Sequence, residues 1–190
     1  MRLKDENKIE SIFNAAIQLI NEHGLSGTSM SKIAKKAGLS ASTIYVYFEN
    51  KEDMLNKLYL NVKKNMSQEV FYNYDDSISI QSAFEHTLKK FINFILTNKE
   101  EFLFLEQFSN SPLLHMLSRN EGTELFEPIF SLFEKGKSQN VFKQVDSNLL
   151  HMFMFNPAIQ YVKDYLGGRC ELNQDDIEKI IQMSWDAVKA

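Results

Sequence analysis

The chain has a single cysteine, Cys170, in 190 residues, so no internal disulfide can form and a reducing compartment is expected. Three prolines and seven glycines provide little for hairpins and leave room for long helices. No apolar run approaches the roughly 20 residues that cross a bilayer, and the opening MRLKDENKIE carries no signal-peptide core. A cytoplasmic protein with no membrane partner is the expectation. His23, His86, His115 and His151 are scattered, without a pair at metal-ligand spacing. No glycine loop suits a nucleotide, and Cys170 has no activating neighbour in sequence. Catalysis needs such a constellation, so the chain is read as a non-enzyme without metal or cofactor.

What is present is an ordinary globular composition, 44% hydrophobic and 24% charged. The net charge of −4 speaks against nucleic acid, but its distribution does not. Residues 1–66 hold ten basic and seven acidic side chains, a balance of +3, against eleven and eighteen beyond, a balance of −7. A basic head on an acidic body fits a nucleic-acid contact confined to one end.

Helical periodicity starts at once. Ile9, Ile12, Phe13, Ala16, Leu19 and Ile20 recur at i, i+3, i+4 spacing, and His23-Gly24 supplies a C-terminal cap. A second short helix is expected around 30–37, closed by Gly38, and a third over 41–48 with Ser40 as N-cap. Asn50 caps a long fourth helix, with Asp53 completing an approximate capping box. The polar segment 73–79 marks the end of that region. Further helices are expected over 84–95, over KEEFLFLEQF, after Pro112, and over 124–135, 149–166 and 177–188. No segment alternates with period two, so the fold class is all-α. An N-terminal helix-turn-helix domain of three helices, residues 1–50, precedes a larger helical domain, residues 51–190.

The stretch SKIAKKAGLSASTIYVYF holds two short helices joined by a tight turn. Ile44 and Phe48, four apart, share the face that packs inward, so Ala41, Ser42, Thr43, Val46 and Tyr47 point away from the core. Such small or hydroxyl-bearing side chains let a helix lie deep in the DNA major groove. Tyr45 and Tyr47 can flank the groove and donate to phosphates, and Lys51 at the start of the next helix forms a phosphate clamp. A purely structural corner, with Tyr45 packing inward, is the alternative.

GTSMSKIAKKAGLSASTIYVYFENKEDML, residues 27–55, resembles the DNA-binding region of the TetR/AcrR-type transcriptional regulators: the Gly-Thr entry, Ala-Gly-Leu-Ser at the turn, Ile-Tyr-x-Tyr-Phe, and Asn-Lys-Glu before the long helix. The likeness covers roughly the first 60 residues. It implies a homodimer on the palindromic half-sites of a double-stranded operator, a C-terminal effector-binding domain, and repression relieved by a small hydrophobic ligand. Carried over by position, phosphate contacts fall on Thr28, Ser40, Tyr45, Tyr47 and Lys51, and base contacts on Ser31, Ala41, Ser42, Thr43 and Val46. Members that read guanine strongly often carry Arg, Lys or Gln at these places. Here no long side chain stands there, which points to A·T-rich contacts and DNA shape. A DNA-binding scaffold governed by a protein partner is the competing reading.

The body is rich in aromatics. Phe91, Phe94, Phe108, Phe130, Phe153, Asn156 and Tyr161 are the candidate effector pocket. Tyr161, Tyr165, Ile177, Ile181 and Trp185 belong to two stripes on the last helices that one chain cannot easily cover. They are the candidate dimer interface, a four-helix bundle between two copies. The long helix from Lys51 is the expected lever between pocket and reading head.

Overall fold

The computed structural model describes residues 2–72 and 77–190, the side chains of residues 2–5 and of Leu117 excepted. Part of the expected boundary at 73–79, residues 73–76, lies outside the described residues. Ten helices are present among those described: α1 (Arg2–Gly27), α2 (Met30–Lys36), α3 (Ala41–Ile44), α4 (Lys51–Val70), α5 (Ile80–Thr97), α6 (Lys99–Phe108), α7 (Met116–Glu124), α8 (Glu127–Ser138), α9 (Ser147–Leu166) and α10 (Gln174–Val188). The all-α expectation holds. A lone bridge between Phe142 and Lys189 is the one extended pairing among the described residues.

The helices begin and end for local reasons. Gly24 interrupts α1 at φ 71°, a left-handed turn that glycine adopts at little cost. Ser29 caps α2 by accepting from the Lys32 N–H, and Asp146 and Asn173 do the same for α9 and α10 through the N–H groups of Asn148 and Asp175. At α4, Asn50 Oδ1 accepts from the Asp53 N–H at 2.9 Å, and Asp53 Oδ2 accepts from the Glu49 N–H at 3.0 Å. The capping box is therefore real but displaced by one residue on its return arm. Burial pushes the Asp53 carboxyl up, but the bonds from Lys57 and Glu49 hold it below the usual carboxylate range.

Packing divides the chain into two compact units. The first comprises Met1–Lys64 and Asn98–Thr123. Its core joins Ile12, Ala16 and Ile20 of α1, Ile33 of α2, Ile44 of α3, and Leu55 and Leu58 of α4, all buried. Helix α6 packs along α1, and Phe108 of α6 lies 6.0 Å from the Tyr59 ring and stacks on Phe104 at 5.5 Å.

The second unit comprises Asn65–Thr97 and Glu124–Ala190. A chain of ring contacts runs through it: Phe91 to Phe155 at 4.8 Å, Phe133 to Phe142 at 5.8 Å, and Phe142 and Phe84 to Trp185 at 5.6 and 5.4 Å. Phe142 reaches α8 only because Gly136 has no side chain, since a Cβ there would stand 2.1 Å from the ring.

Candidate nucleic-acid interface

The turn between α2 and α3 is set by Gly38 at φ 69°. That conformation lets the Ala37 N–H close on Ile33 O at 2.9 Å and the Leu39 N–H on Ala34 O at 2.8 Å. Ser40 then opens α3, its Oγ accepting from the Thr43 N–H at 3.1 Å. Ile44 and Phe48 are buried, and the Phe48 ring meets Phe13 of α1 at 5.7 Å. This is the inward face expected from their spacing.

Regular helix ends at Ile44, four residues earlier than the sequence predicts. The chain continues through a tighter turn, with Val46 N–H donating to Thr43 O and Tyr47 N–H to Ile44 O, both at 3.1 Å. Ala41, Ser42 and Val46 keep the expected outward disposition nonetheless, and Thr43 and Tyr47 keep it only in part. Ser31, Ser40, Ala41 and Ser42 are exposed, and Thr43 and Tyr47 are half-buried. Tyr45 is 55% and Val46 77% exposed, so Tyr45 does not pack inward.

Two expected phosphate contacts sit differently. Thr28 is 3% exposed and its hydroxyl donates to Gly24 O at 3.0 Å, so its side chain is spent on closing α1. The Lys51 ammonium is turned toward the α1–α2 connection. It donates to Thr28 O at 2.6 Å and to Leu25 O, and partial burial holds its pKa below the usual lysine value. Lys32 Nζ adds a bond to Gly27 O at 2.8 Å. Carbonyls left over at the end of α1 thus attract cations, as the helix dipole favours. Of the three Lys51 protons, one remains for another acceptor.

Sequence reasoning missed a polar seam on the far side of α1. Asn21 Nδ2 donates to Glu100 O at 3.0 Å and to Glu100 Oε2 at 2.8 Å, while Gln107 Nε2 donates to Asn21 Oδ1 at 3.1 Å. These partners lie 79 and 86 residues apart, and nothing local in the sequence signals them.

Comparison with known proteins agrees with this architecture. Residues 12–58 match the family model for bacterial regulatory proteins of the tetR family, and residues 79–189 match the tetracyclin repressor-like C-terminal domain. The chain belongs to the TetR family of transcriptional regulators. An HTH-type transcriptional regulator from Haemophilus influenzae is 24% identical over 190 residues, covering 100% of both chains. The fatty acid metabolism regulator protein of Bacillus subtilis is 46% identical over 61 residues, 32% of this chain and 30% of its own. The crystal structure of a TetR family transcription regulator from Marinobacter aquaeolei matches with a TM-score of 0.92 at 28% identity, covering 100% of this chain and 99% of that one. FadR from Bacillus subtilis, solved in complex with stearoyl-CoA, shares the fold at a TM-score of 0.75 and 18% identity, over 92% of this chain and 96% of its own. TetR-family proteins are DNA-binding regulators rather than enzymes, and they bind operators typically as dimers with small-molecule effectors.

The body of this TetR-family regulator departs from two expectations. Ile177, Ile181 and Trp185, expected at a dimer interface, are buried within their own unit, where α10 packs on α9 and α5. Tyr161 is tied to the α9–α10 loop, donating to Glu171 O and accepting from the Asn173 N–H, each at 3.0 Å. Tyr165 alone of the five is exposed. One chain covers both stripes except at Tyr165.

The expected pocket residues are gathered only in part. Phe108 belongs to the first unit, while Phe91 and Phe94 are buried in the second. Phe153 and Asn156 face outward from α9. What does assemble is Phe91, Phe155, His151 and Phe130, with His151 4.8 Å from Phe155 and stacked 6.0 Å from Phe130. Open clefts of about 430 Å³ along Gln68, Tyr72 and Lys90, and about 660 Å³ along Asn21, Lys99 and Glu100, carry none of the expected aromatics. Among the described residues no group of three or more His, Cys, Asp or Glu could hold a metal, and no helix is long and apolar enough to cross a membrane.

The Lys51 contacts generate a prediction. Lys51→Ala removes two charge-assisted bonds at the α1–α2 corner, so unfolding should need about 1–2 kcal/mol less free energy. Chemical denaturation measures this, and an unchanged midpoint would show that the bonds carry no stability.

Proposed function

We propose that this chain is a ligand-responsive repressor that binds its operator as a homodimer, through a reading head of residues 1–50, and leaves it when a small hydrophobic effector occupies the body, residues 51–190. The observation that carries the DNA part is the outward face of α3 and of the turn that follows it, where Tyr45 and Val46 stand exposed while Ile44 and Phe48 anchor the segment from behind. In this reading α3 enters the major groove. Ser31, Ala41, Ser42, Thr43 and Val46 meet base edges, and Ser40, Tyr45, Tyr47 and the remaining Lys51 proton meet phosphates. Such a regulator works in the cytoplasm, beside the DNA it controls.

Effector binding is assigned to the second unit. Its aromatic cluster around His151 and Phe155 supplies apolar walls. The buried hydroxyls of Thr87 and Ser184, on helices α5 and α10 that pack together, have no hydrogen-bond partner among the described residues. An unsatisfied buried hydroxyl costs about 1–3 kcal/mol, which a polar ligand group would recover. Because α4 supplies residues to both units, a ligand preferring one position of that helix shifts the reading head.

For the dimer, the surface that supports a second copy is the outward face of α9. Leu149, Met152 and Phe153 are exposed there, as is Met183 on α10. Isolated exposed apolar groups mean little, but three within one and a half helical turns form a patch.

Three outcomes test these assignments. Tyr45→Phe should weaken operator binding about tenfold on every sequence, the value of one hydrogen bond to a charged phosphate, without changing the salt slope. A loss confined to one base pair would move Tyr45 to the base-reading set. Phe153→Arg should convert the dimer to a folded monomer in sedimentation, and an unaffected dimer would place the interface elsewhere. Long-chain acyl-coenzyme A is the first effector to try, given the stearoyl-CoA in FadR. It should displace the purified protein from DNA with no other protein present, whereas release that requires a protein fraction would favour the partner-governed scaffold.

A further inference from the structure

We infer that this regulator reads its operator through thymine methyl groups, with Val46 as the principal reading side chain, and makes no bidentate guanine contact. The inference rests on the placement of α3 in the major groove proposed above.

The first ground is the inventory of side chains that reach outward. Ser31, Ser40, Ala41, Ser42, Tyr45 and Val46 are exposed on this surface. None presents the paired parallel groups that grip the O6 and N7 atoms of guanine, as arginine does, or the N6 and N7 atoms of adenine, as asparagine does. The nearby cations do not supply the missing contact. Lys32 is engaged by Gly27 O and Lys36 by Glu22 at 3.2 Å. Lys35 is a point charge suited equally to phosphate. Asn50 uses its Oδ1 to cap α4.

The hydroxyls, second, are poor discriminators. Ser40 Oγ lies 2.8 Å from Ser42 Oγ and 2.7 Å from Thr43 Oγ1, and in both pairs either atom could donate. Three hydroxyls joined by two hydrogen bonds leave one hydroxyl proton over. Which oxygen holds that proton changes as the network flips. A surface that can donate or accept at nearly the same place accommodates a purine N7, a thymine O4 or an amino group alike.

Val46 has no such ambiguity. Its isopropyl group is 77% exposed, held by the turn that follows α3, and the Val46 N–H is already satisfied by Thr43 O. An apolar group aimed into the major groove finds one apolar partner on the base edges, the thymine C5 methyl. Removing both from water is favourable in proportion to the area covered. Ala41, at the first position of α3, offers a second, smaller apolar point on the same face.

The experiment begins with duplexes selected by the full-length protein from a random-sequence pool. Each thymine of the selected duplex is replaced by deoxyuridine, which removes only the methyl group. Each guanine is separately replaced by 7-deazaguanine, which removes the N7 acceptor. One or two deoxyuridine positions per half-site should weaken binding about fourfold, the value of one buried methyl group, with no comparable 7-deazaguanine position. Val46→Ala, at a surface site that leaves folding intact, should bind the thymine duplex about as weakly as the native protein binds the deoxyuridine one, and should lose sensitivity at one such position. Dominant 7-deazaguanine penalties, or a full deoxyuridine penalty persisting in Val46→Ala, would overturn the inference while leaving DNA docking in place. A pool that yields no preferred duplex, with Tyr45→Phe binding DNA like the native chain, would overturn the docking and the inference together.

Discussion

A helix of four residues cannot hold itself together in water, because the cost of nucleating one turn exceeds what so few backbone hydrogen bonds return. Helix α3 has that length, so its existence depends on the burial of Ile44 and Phe48 against α1. This constraint orders the rest of the N-terminal unit. With the two apolar residues fixed inward, helical geometry leaves Ala41, Ser42, Tyr45 and Val46 no direction but outward. The outward face is therefore a consequence of the core behind it. Gly38 and Ser40 serve the same end, one by permitting the turn and the other by capping the helix that follows.

The corner between α1 and α2 shows how polar groups set the frame around that helix. Gly24 breaks α1, and the carbonyls released there are taken by Thr28, Lys32 and Lys51. Lys51 begins α4, so its ammonium ties the start of the fourth helix to the end of the first. The position that resemblance marks for phosphate is first a structural clamp, and its capacity for an outside acceptor is what remains after the carbonyls are served.

In the second unit the aromatic residues form a connected core. Phe91, Phe94 and Phe133 are buried in it, but helical spacing does not say which neighbour does the covering. Ile177, Ile181 and Trp185 read as a stripe awaiting a second chain, yet α9 and α5 of the same chain close over them. The outward face of α9 was less legible, because Leu149, Met152 and Phe153 alternate with the buried residues Leu150, Met154 and Phe155 in one apolar run. Such a run shows no polar side from which to infer the exposed one. His151 gained its place beside Phe155 and Phe130 from helix packing between α8 and α9, which no motif records.

The sequence by itself determined the helix class, most helix ends, and the outward face of the segment after Gly38, because each follows from interactions within a few residues: caps, glycine turns and i, i+4 faces. It also settled the family, through the motif between Gly27 and Leu55. Tertiary structure alone decided that Thr28 is buried, that Lys51 turns to backbone carbonyls, that Asn21 meets Glu100, and which face of α9 stays in water. Each of those depends on groups distant along the chain, or on how much area a neighbouring helix covers, and neither quantity is written in local spacing.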